Sequence, residues 1–166
     1  MPIPVNPALA ALFFLVLTAP AGAQWSDNPL QNTTVVARPG DQVLPKSAVT
    51  SDGGRWVAWF DNASGNYDVY AQRFDNKGHA LLATGGLLVS GNAQSSSLVN
   101  WDLIVDSNDN AVLAFTDTRN GGDLDVYAYR ISSAGNFLWG ANGVTVSVNA
   151  DFEADPMITE TSSGDF

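Results

Sequence analysis

Two stretches of this chain are near copies of each other. Asp68–Arg73 (Asp-Val-Tyr-Ala-Gln-Arg) and Asp125–Arg130 (Asp-Val-Tyr-Ala-Tyr-Arg) agree at five of six positions and lie 57 residues apart. Trp56–Asp61 and Val112–Asp117 match more loosely at a spacing of 56. Such a period is typical of proteins in which one supersecondary unit recurs and packs against its neighbours. It predicts a repeat architecture rather than a single irregular domain.

Each unit has the pattern of β-structure. Residues 55–60 place apolar side chains on both faces of the predicted strand, which indicates that it is covered on both sides. Segments rich in Asn and Gly at 62–66 and 118–122 are typical of hairpin loops. We find no convincing helical pattern after residue 23, and the first unit is expected to have strands at about 46–51, 55–60, 67–74 and 86–90.

The repeat predicts an all-β fold of antiparallel, four-stranded β-propeller-like blades in an incomplete ring of about two full blades plus partial ones. A two-sheet sandwich is the alternative, although apolar residues on one face only would be typical of it. The predicted divisions are a signal peptide at 1–23, an N-terminal segment at 24–40 that could supply a ring-closing outer strand, blade 1 at 41–93, blade 2 at 94–150 and a truncated start of blade 3 at 151–166.

The N-terminal residues have the pattern of a secretory signal. Residues 8–18 are apolar but shorter than the roughly 20 residues that cross a bilayer, and Ala21-Gly22-Ala23 offers a small-residue cleavage site. A hydrophobic anchor or a buried element is the alternative. The prediction is a secreted or cell-surface protein, extracellular or periplasmic, with no membrane span after cleavage.

Composition excludes several classes of function. The chain has no cysteine and one histidine, which rules out disulfides, thiol nucleophiles and multi-histidine metal sites. Its 7 basic and 17 acidic residues give a net charge of −10, which repels nucleic acid. Of the 17 acids 15 are aspartate, a residue that favours turns and caps.

Two aspartate pairs, Asp61 with Asp68 and Asp117 with Asp125, flank the predicted hairpin loops. Carboxylates clustered on one rim could bind a cation or a sugar. Aspartates at such places also cap turns through backbone N–H groups. The structural interpretation is favoured because both units carry the pair, whereas a site built by one unit need not recur in the next.

Two arginines, Arg73 and Arg130, recur at the same place in their strands. They could bind an anionic ligand. The favoured prediction is that each pairs with a nearby carboxylate, such as Asp61 or Asp117, because a semi-buried guanidinium binds carboxylate well.

The segment Asp106-Ser-Asn108-Asp-Asn110 resembles the start of a calcium loop, and calcium is the one cofactor that the sequence suggests. Ala111 stands where such a loop needs glycine, and Asp117 stands where it needs glutamate. An ordinary turn is therefore favoured over a metal site.

The quoted motifs resemble those of secreted bacterial β-propeller repeat proteins. Their repeats are similar to Ala58-Trp-Phe-Asp61, Asp68–Arg73 and Gly135–Val144 of this chain, and the resemblance covers residues 25–166. It implies a propeller fold and says almost nothing about activity, since propellers support many functions. The predicted function is a non-catalytic interaction scaffold whose partner is an unknown protein or a glycan. The alternative is a fragment of a propeller-type glycoside hydrolase or lyase, with its catalytic residues in missing blades.

Overall fold

The computed structural model describes residues 28, 30, 32–92 and 100–166. These residues form eight β-strands and no helix, so none of the described residues form a helix that could cross a membrane. The predicted signal peptide at 1–23 lies outside the described residues. The strands are β1 Gln42–Val49, β2 Arg55–Asp61, β3 Asp68–Phe74, β4 Leu87–Ser90, β5 Asp102–Val105, β6 Ala111–Asp117, β7 Asp125–Ile131 and β8 Val144–Ser147.

The strands form two antiparallel four-stranded sheets. The first sheet has the order β1-β2-β3-β4 and the second has the order β5-β6-β7-β8. Asp61 stands opposite Asp68 in the first sheet, and Asp117 stands opposite Asp125 in the second. The all-β prediction is thus confirmed, as is the antiparallel four-stranded sheet. Within the described residues the two sheets do not close into a ring.

The first strand begins earlier than predicted, at Gln42 instead of residue 46. Its pairing with β2 shifts between Val43 and Lys46, and this irregular stretch contains Pro45 and Leu44, whose φ is 48°. A bulge allows a strand to continue past a proline that has no N–H to donate. The proline therefore hid the beginning of the strand from a pattern-based prediction.

The sheets pack face to face around one hydrophobic core. The first sheet contributes Trp56, Ala58 and Phe60, and the second contributes Leu113 and Phe115, all fully buried. Every residue of β6 is buried, so this strand is covered on both faces. Burial of such aromatic and aliphatic side chains contributes about 1.5–3 kcal/mol each and is the main source of stability here.

Five turns among the described residues share one hydrogen-bonding pattern. Two of them, at 75–79 and 132–136, follow the third strand of a sheet, and the other three begin 56 and 55 residues apart, at residues 50, 106 and 161. In residues 50–54, 106–110 and 161–165 the first residue donates its N–H to the carbonyl of the fifth, at 3.0, 3.0 and 2.7 Å. In each of these three turns the fourth residue also donates its N–H to the carbonyl of the first, at 3.0 Å. The first two turns connect the first strand of a sheet to the second. The third follows residues 157–160, near the C-terminus, which belong to neither sheet.

Polar contacts also connect the sheets. The indole of Trp56 donates to the Asp109 carbonyl, and that of Trp101 donates to the Leu44 carbonyl, both at 3.1 Å. Ser51 donates its N–H and hydroxyl to the two carboxylate oxygens of Asp109 at 2.6 Å each. Each contact joins the first sheet to the second, so the two sheets are fixed in register as well as by apolar packing.

We predict that Trp101→Phe lowers the free energy of unfolding by about 2 kcal/mol, since it leaves the Leu44 carbonyl unpaired and the core underfilled. Chemical denaturation measures the loss. Trp139→Phe is the matched control, because Trp139 is only half-buried and should lose less than about 0.5 kcal/mol. Equal losses in the two variants would contradict the prediction.

Candidate functional site

The four hairpin aspartates are buried at the ends of their strands and are at most 8% exposed. Asp61 accepts the N–H of Ala63 at 3.0 Å, and Asp117 accepts the N–H of Arg119 at the same distance. Each of these two carboxylates therefore caps the loop that follows its strand. The geometry favours the structural interpretation of the pairs over a ligand site on the rim.

Arg119 is the centre of a polar cluster at the end of the second sheet. It binds Asp117 through two nitrogens, Nε at 2.9 Å and Nη2 at 2.5 Å, and also donates to the Tyr129 hydroxyl at 3.0 Å. Its guanidinium carbon lies 3.5 Å from the ring centroid of Tyr127. Burial lowers the pKa of Arg119, but its hydrogen bonds to Asp117 and Tyr129 outweigh burial and raise it. Arg119 therefore remains a cation.

Arg38 has the same role in the first sheet, although it comes from a different part of the chain. Its Nη1 lies 3.7 Å from Asp61, and its guanidinium carbon lies 4.3 Å from the ring centroid of Tyr70. A hydrogen bond with Tyr70 raises the pKa of Arg38. Neither Arg38 nor Arg119 was identified from the sequence, because the two do not recur at one position. The recurring aspartate and tyrosine were the only available signal.

A polar pocket of about 380 Å³ opens beside this cluster. Asn120 donates its amide to Asp125 at 2.9 Å and to the Tyr127 hydroxyl at 2.8 Å. The other oxygen of Asp125 is buried with no hydrogen-bond partner among the described residues. Burial also raises the pKa of Tyr127, which keeps its phenol protonated. The pocket is lined by Asn92, Arg119, Asn120, Tyr127, Asn142, Gly143 and Thr145.

The recurring arginines bind aspartates, but the partners differ from those predicted. Arg73 binds Asp52 at 3.0 Å, and Arg130 binds Asp106 at 2.6 Å. The expected partners Asp61 and Asp117 are wrong, because they lie at the far ends of the strands. Each arginine instead reaches the turn that precedes the second strand of its sheet.

The calcium-like loop is organised around the Asp106 carboxylate. Its Oδ1 accepts the N–H groups of Asn108 and Asn110 at 2.8 and 2.9 Å, and its Oδ2 accepts the Asn110 amide and Arg130. Burial alone would raise the pKa of Asp106, but these hydrogen bonds lower it. Hydrogen-bond donors thus occupy the positions around the carboxylate that a cation would take. This arrangement favours an ordinary turn over a calcium site.

The part of the chain that the structure describes holds no group of three or more histidine or acidic side chains arranged for a metal ion. Calcium binding at Asp106, Asn108 and Asn110 remains a prediction.

An apolar groove of about 670 Å³ lies between the second sheet and residues 156–166. We call it the C-terminal groove. At its end Trp139 and Phe166 meet edge to face with ring centroids 5.3 Å apart, and Arg130 lies 5.2 Å from the Phe166 ring. The strands of the second sheet contribute Ala114, Val126, Ala128, Arg130, Val144 and Val146 to its lining, and the loop between β7 and β8 contributes Trp139.

We predict that Asp106→Asn destabilises the protein by about 3 kcal/mol near pH 7, because it leaves Arg130 without its buried partner. The pKa of Asp106 is lowered by folding, so its contribution is complete above its usual value of 3.8 and is lost as pH falls through the lower folded pKa. Denaturation at several pH values should show the difference between wild type and variant shrinking in acid. Asp151→Asn, in an exposed loop, is the control, and a constant difference at all pH values would contradict the prediction.

Comparison of the chain with models of protein families, with curated proteins and with solved structures finds no match. The function is therefore inferred from the geometry of the two sheets, the polar pocket and the C-terminal groove.

Proposed function

We propose that this protein is a non-catalytic interaction scaffold built from β-propeller-like blades, and that it acts outside the cell or at its surface. One observation gives the main support for this proposal: the face that the first sheet turns to the shared core does not correspond to the face that the second sheet turns to it. Ala58 of the first sheet lies in the shared core, whereas its counterpart in the second sheet, Ala114, lies on the opposite side and lines the C-terminal groove. Head-to-tail packing of this kind can propagate from sheet to sheet, as blades do in a ring.

Burial on the outer face of the second sheet supports blades over a sandwich. In a two-sheet sandwich the outer faces are polar and solvated. Here Val112, Ala114 and Thr116 point away from the shared core, yet each is at most 3% exposed. A sheet buried on both faces is expected where each sheet has a neighbour on each side.

The state of two buried carboxylates, Asp106 and Asp117, supports binding over catalysis. A glycosidase needs two carboxyl groups that reach the bond to be cleaved. Asp117 is fully buried and bound to Arg119, and Asp106 is almost fully buried and bound to Arg130. Groups held in this way stabilise the fold and are not available to a substrate.

The polar pocket supports a second candidate, the binding of a carbohydrate. Its amide, guanidinium and hydroxyl groups match the hydrogen-bonding needs of sugar hydroxyls. Stacking of a sugar on an indole is not supported at three of the tryptophans, since Trp56, Trp59 and Trp101 are at most 2% exposed. Tyr127 is also unavailable for stacking because it is buried with Arg119 over its ring. A glycan would therefore be bound through hydrogen bonds.

A polysaccharide panel tests the scaffold proposal against the enzyme alternative. We expect no release of reducing ends and no unsaturated sugar product at any substrate, because Asp106 and Asp117 are engaged in the fold. Turnover that disappears in Asp117→Asn while the fold persists by circular dichroism would overturn the proposal.

A glycan array followed by calorimetry tests the second candidate. We expect Asn120→Ala to weaken a bound glycan about tenfold, since it removes a polar side chain from the lining of the pocket. Asn66→Ala is the matched control, because Asn66 is exposed in the hairpin loop of the first sheet. Absence of any glycan on the array, or equal weakening in both variants, would rule out the polar pocket as a sugar site.

A further inference from the structure

Residues 157–160 resemble a first strand that has no second strand beside it. They precede the turn 161–165 as β5 precedes the turn 106–110, and the two turns match in hydrogen bonding and lie 55 residues apart, close to the period of the repeat. In β5 the residues Asp102–Val105 pair with residues 114 to 111 of β6. By position, Ile158 corresponds to Leu103, which stands opposite Leu113. No strand of the described residues pairs with 157–160.

The segment is nevertheless held in place by hydrogen bonds to the second sheet and its turn. Asp155 accepts the N–H of Asn100 at 2.9 Å, and Glu160 binds the N–H and hydroxyl of Ser107 at 2.7 and 2.8 Å. Ile158 is half-buried, whereas Met157 is 74% exposed. Among the described residues, positions 157–160 make no backbone–backbone hydrogen bond. The N–H of Ile158 donates to the carboxylate of Asp102 at 3.2 Å, which holds the segment beside β5.

The C-terminal groove beside this segment repeats a surface that is filled elsewhere in the molecule. In the first sheet Ala58, Val69 and Ala71 lie in the core with the large side chains of the second sheet, Leu113 and Phe115 among them. The counterparts of these three residues are Ala114, Val126 and Ala128, which are the same residue types and line the groove. The small side chains leave room for large ones, and here that room is about 670 Å³.

We propose that the C-terminal groove binds an extended strand of a partner protein, which pairs antiparallel with residues 157–160 and inserts large apolar side chains at alternate positions. The proposal rests on the proposed scaffold function and names the chemistry of the partner. Backbone pairing gives affinity in this mode of recognition, and the pockets for alternate side chains give specificity. In the pairing register of β6, the side chain of a leucine would lie opposite Ile158 and an aromatic side chain would follow two residues later.

A synthetic peptide of residues 109–117, carrying a fluorescent label, is the probe, because β6 is the strand that fills the equivalent surface in the molecule. We expect saturable binding by fluorescence anisotropy to the intact protein. A peptide with Leu113→Asp and Phe115→Asp keeps the backbone and loses the apolar side chains, so it should bind at least about tenfold more weakly. No saturable binding of the unchanged peptide, or equal binding of both peptides, overturns the proposal.

A pair of protein variants locates the site. Val146→Arg places a charge on the lining of the groove, whereas Val148→Arg changes a similarly exposed valine outside it. We expect the first variant to weaken the peptide about tenfold and the second to leave it unchanged. Equal weakening of peptide binding by the two substitutions would overturn the proposal. So would a wild-type dimer that Val146→Arg converts to a monomer, because the groove would then be occupied by a second copy of this chain. Failure of the peptide to bind would contradict the groove proposal and leave the scaffold proposal intact. Turnover of a polysaccharide would contradict the scaffold proposal and would not change the binding of the peptide.

Discussion

Burial of the second strand of a sheet on both of its faces is the constraint on which the rest of the structure depends. A strand that is apolar on both sides cannot be satisfied by one neighbour, so a sheet of this sequence needs cover on each face. The second sheet covers one face of the first, and residues near the C-terminus lie over the outer face of the second. The head-to-tail relation of the sheets and the C-terminal groove both follow from this requirement.

The recurring sequence made the strands and their loops predictable. The Asp-Val-Tyr-Ala segments became β3 and β7, and the aspartates predicted to flank the hairpins stand opposite each other. Local patterns suffice here because turn chemistry and two-sided burial act over a few residues. The beginning of β1 was missed because a bulge around Pro45 interrupts the local pattern.

The polar clusters were harder to predict because they depend on which strand ends meet. Arg73 pairs with Asp52 and Arg130 with Asp106, since each arginine stands at the end of its strand near the turn. Arg38 and Arg119 stack on equivalent tyrosines although they occupy unrelated places in the sequence. A search for repeats finds residues that recur at a fixed spacing. It does not find two residues that make the same contact from unrelated positions in the sequence, as Arg38 and Arg119 do. The C-terminal groove likewise required the registers of the strands.

Ser51 and Ser107, in the turns that connect the first and second strands of the two sheets, each bind a carboxylate that comes later in the chain. Ser51 binds Asp109, and Ser107 binds Glu160, so each turn is completed by a carboxylate that comes 58 or 53 residues later in the chain. During synthesis on a ribosome the first sheet would therefore emerge before its acceptor exists. The first sheet can form its own hydrogen bonds at that stage, but it gains its polar contacts and its covered face only when the following residues arrive. Folding of one sheet is thus coupled in time to translation of the next.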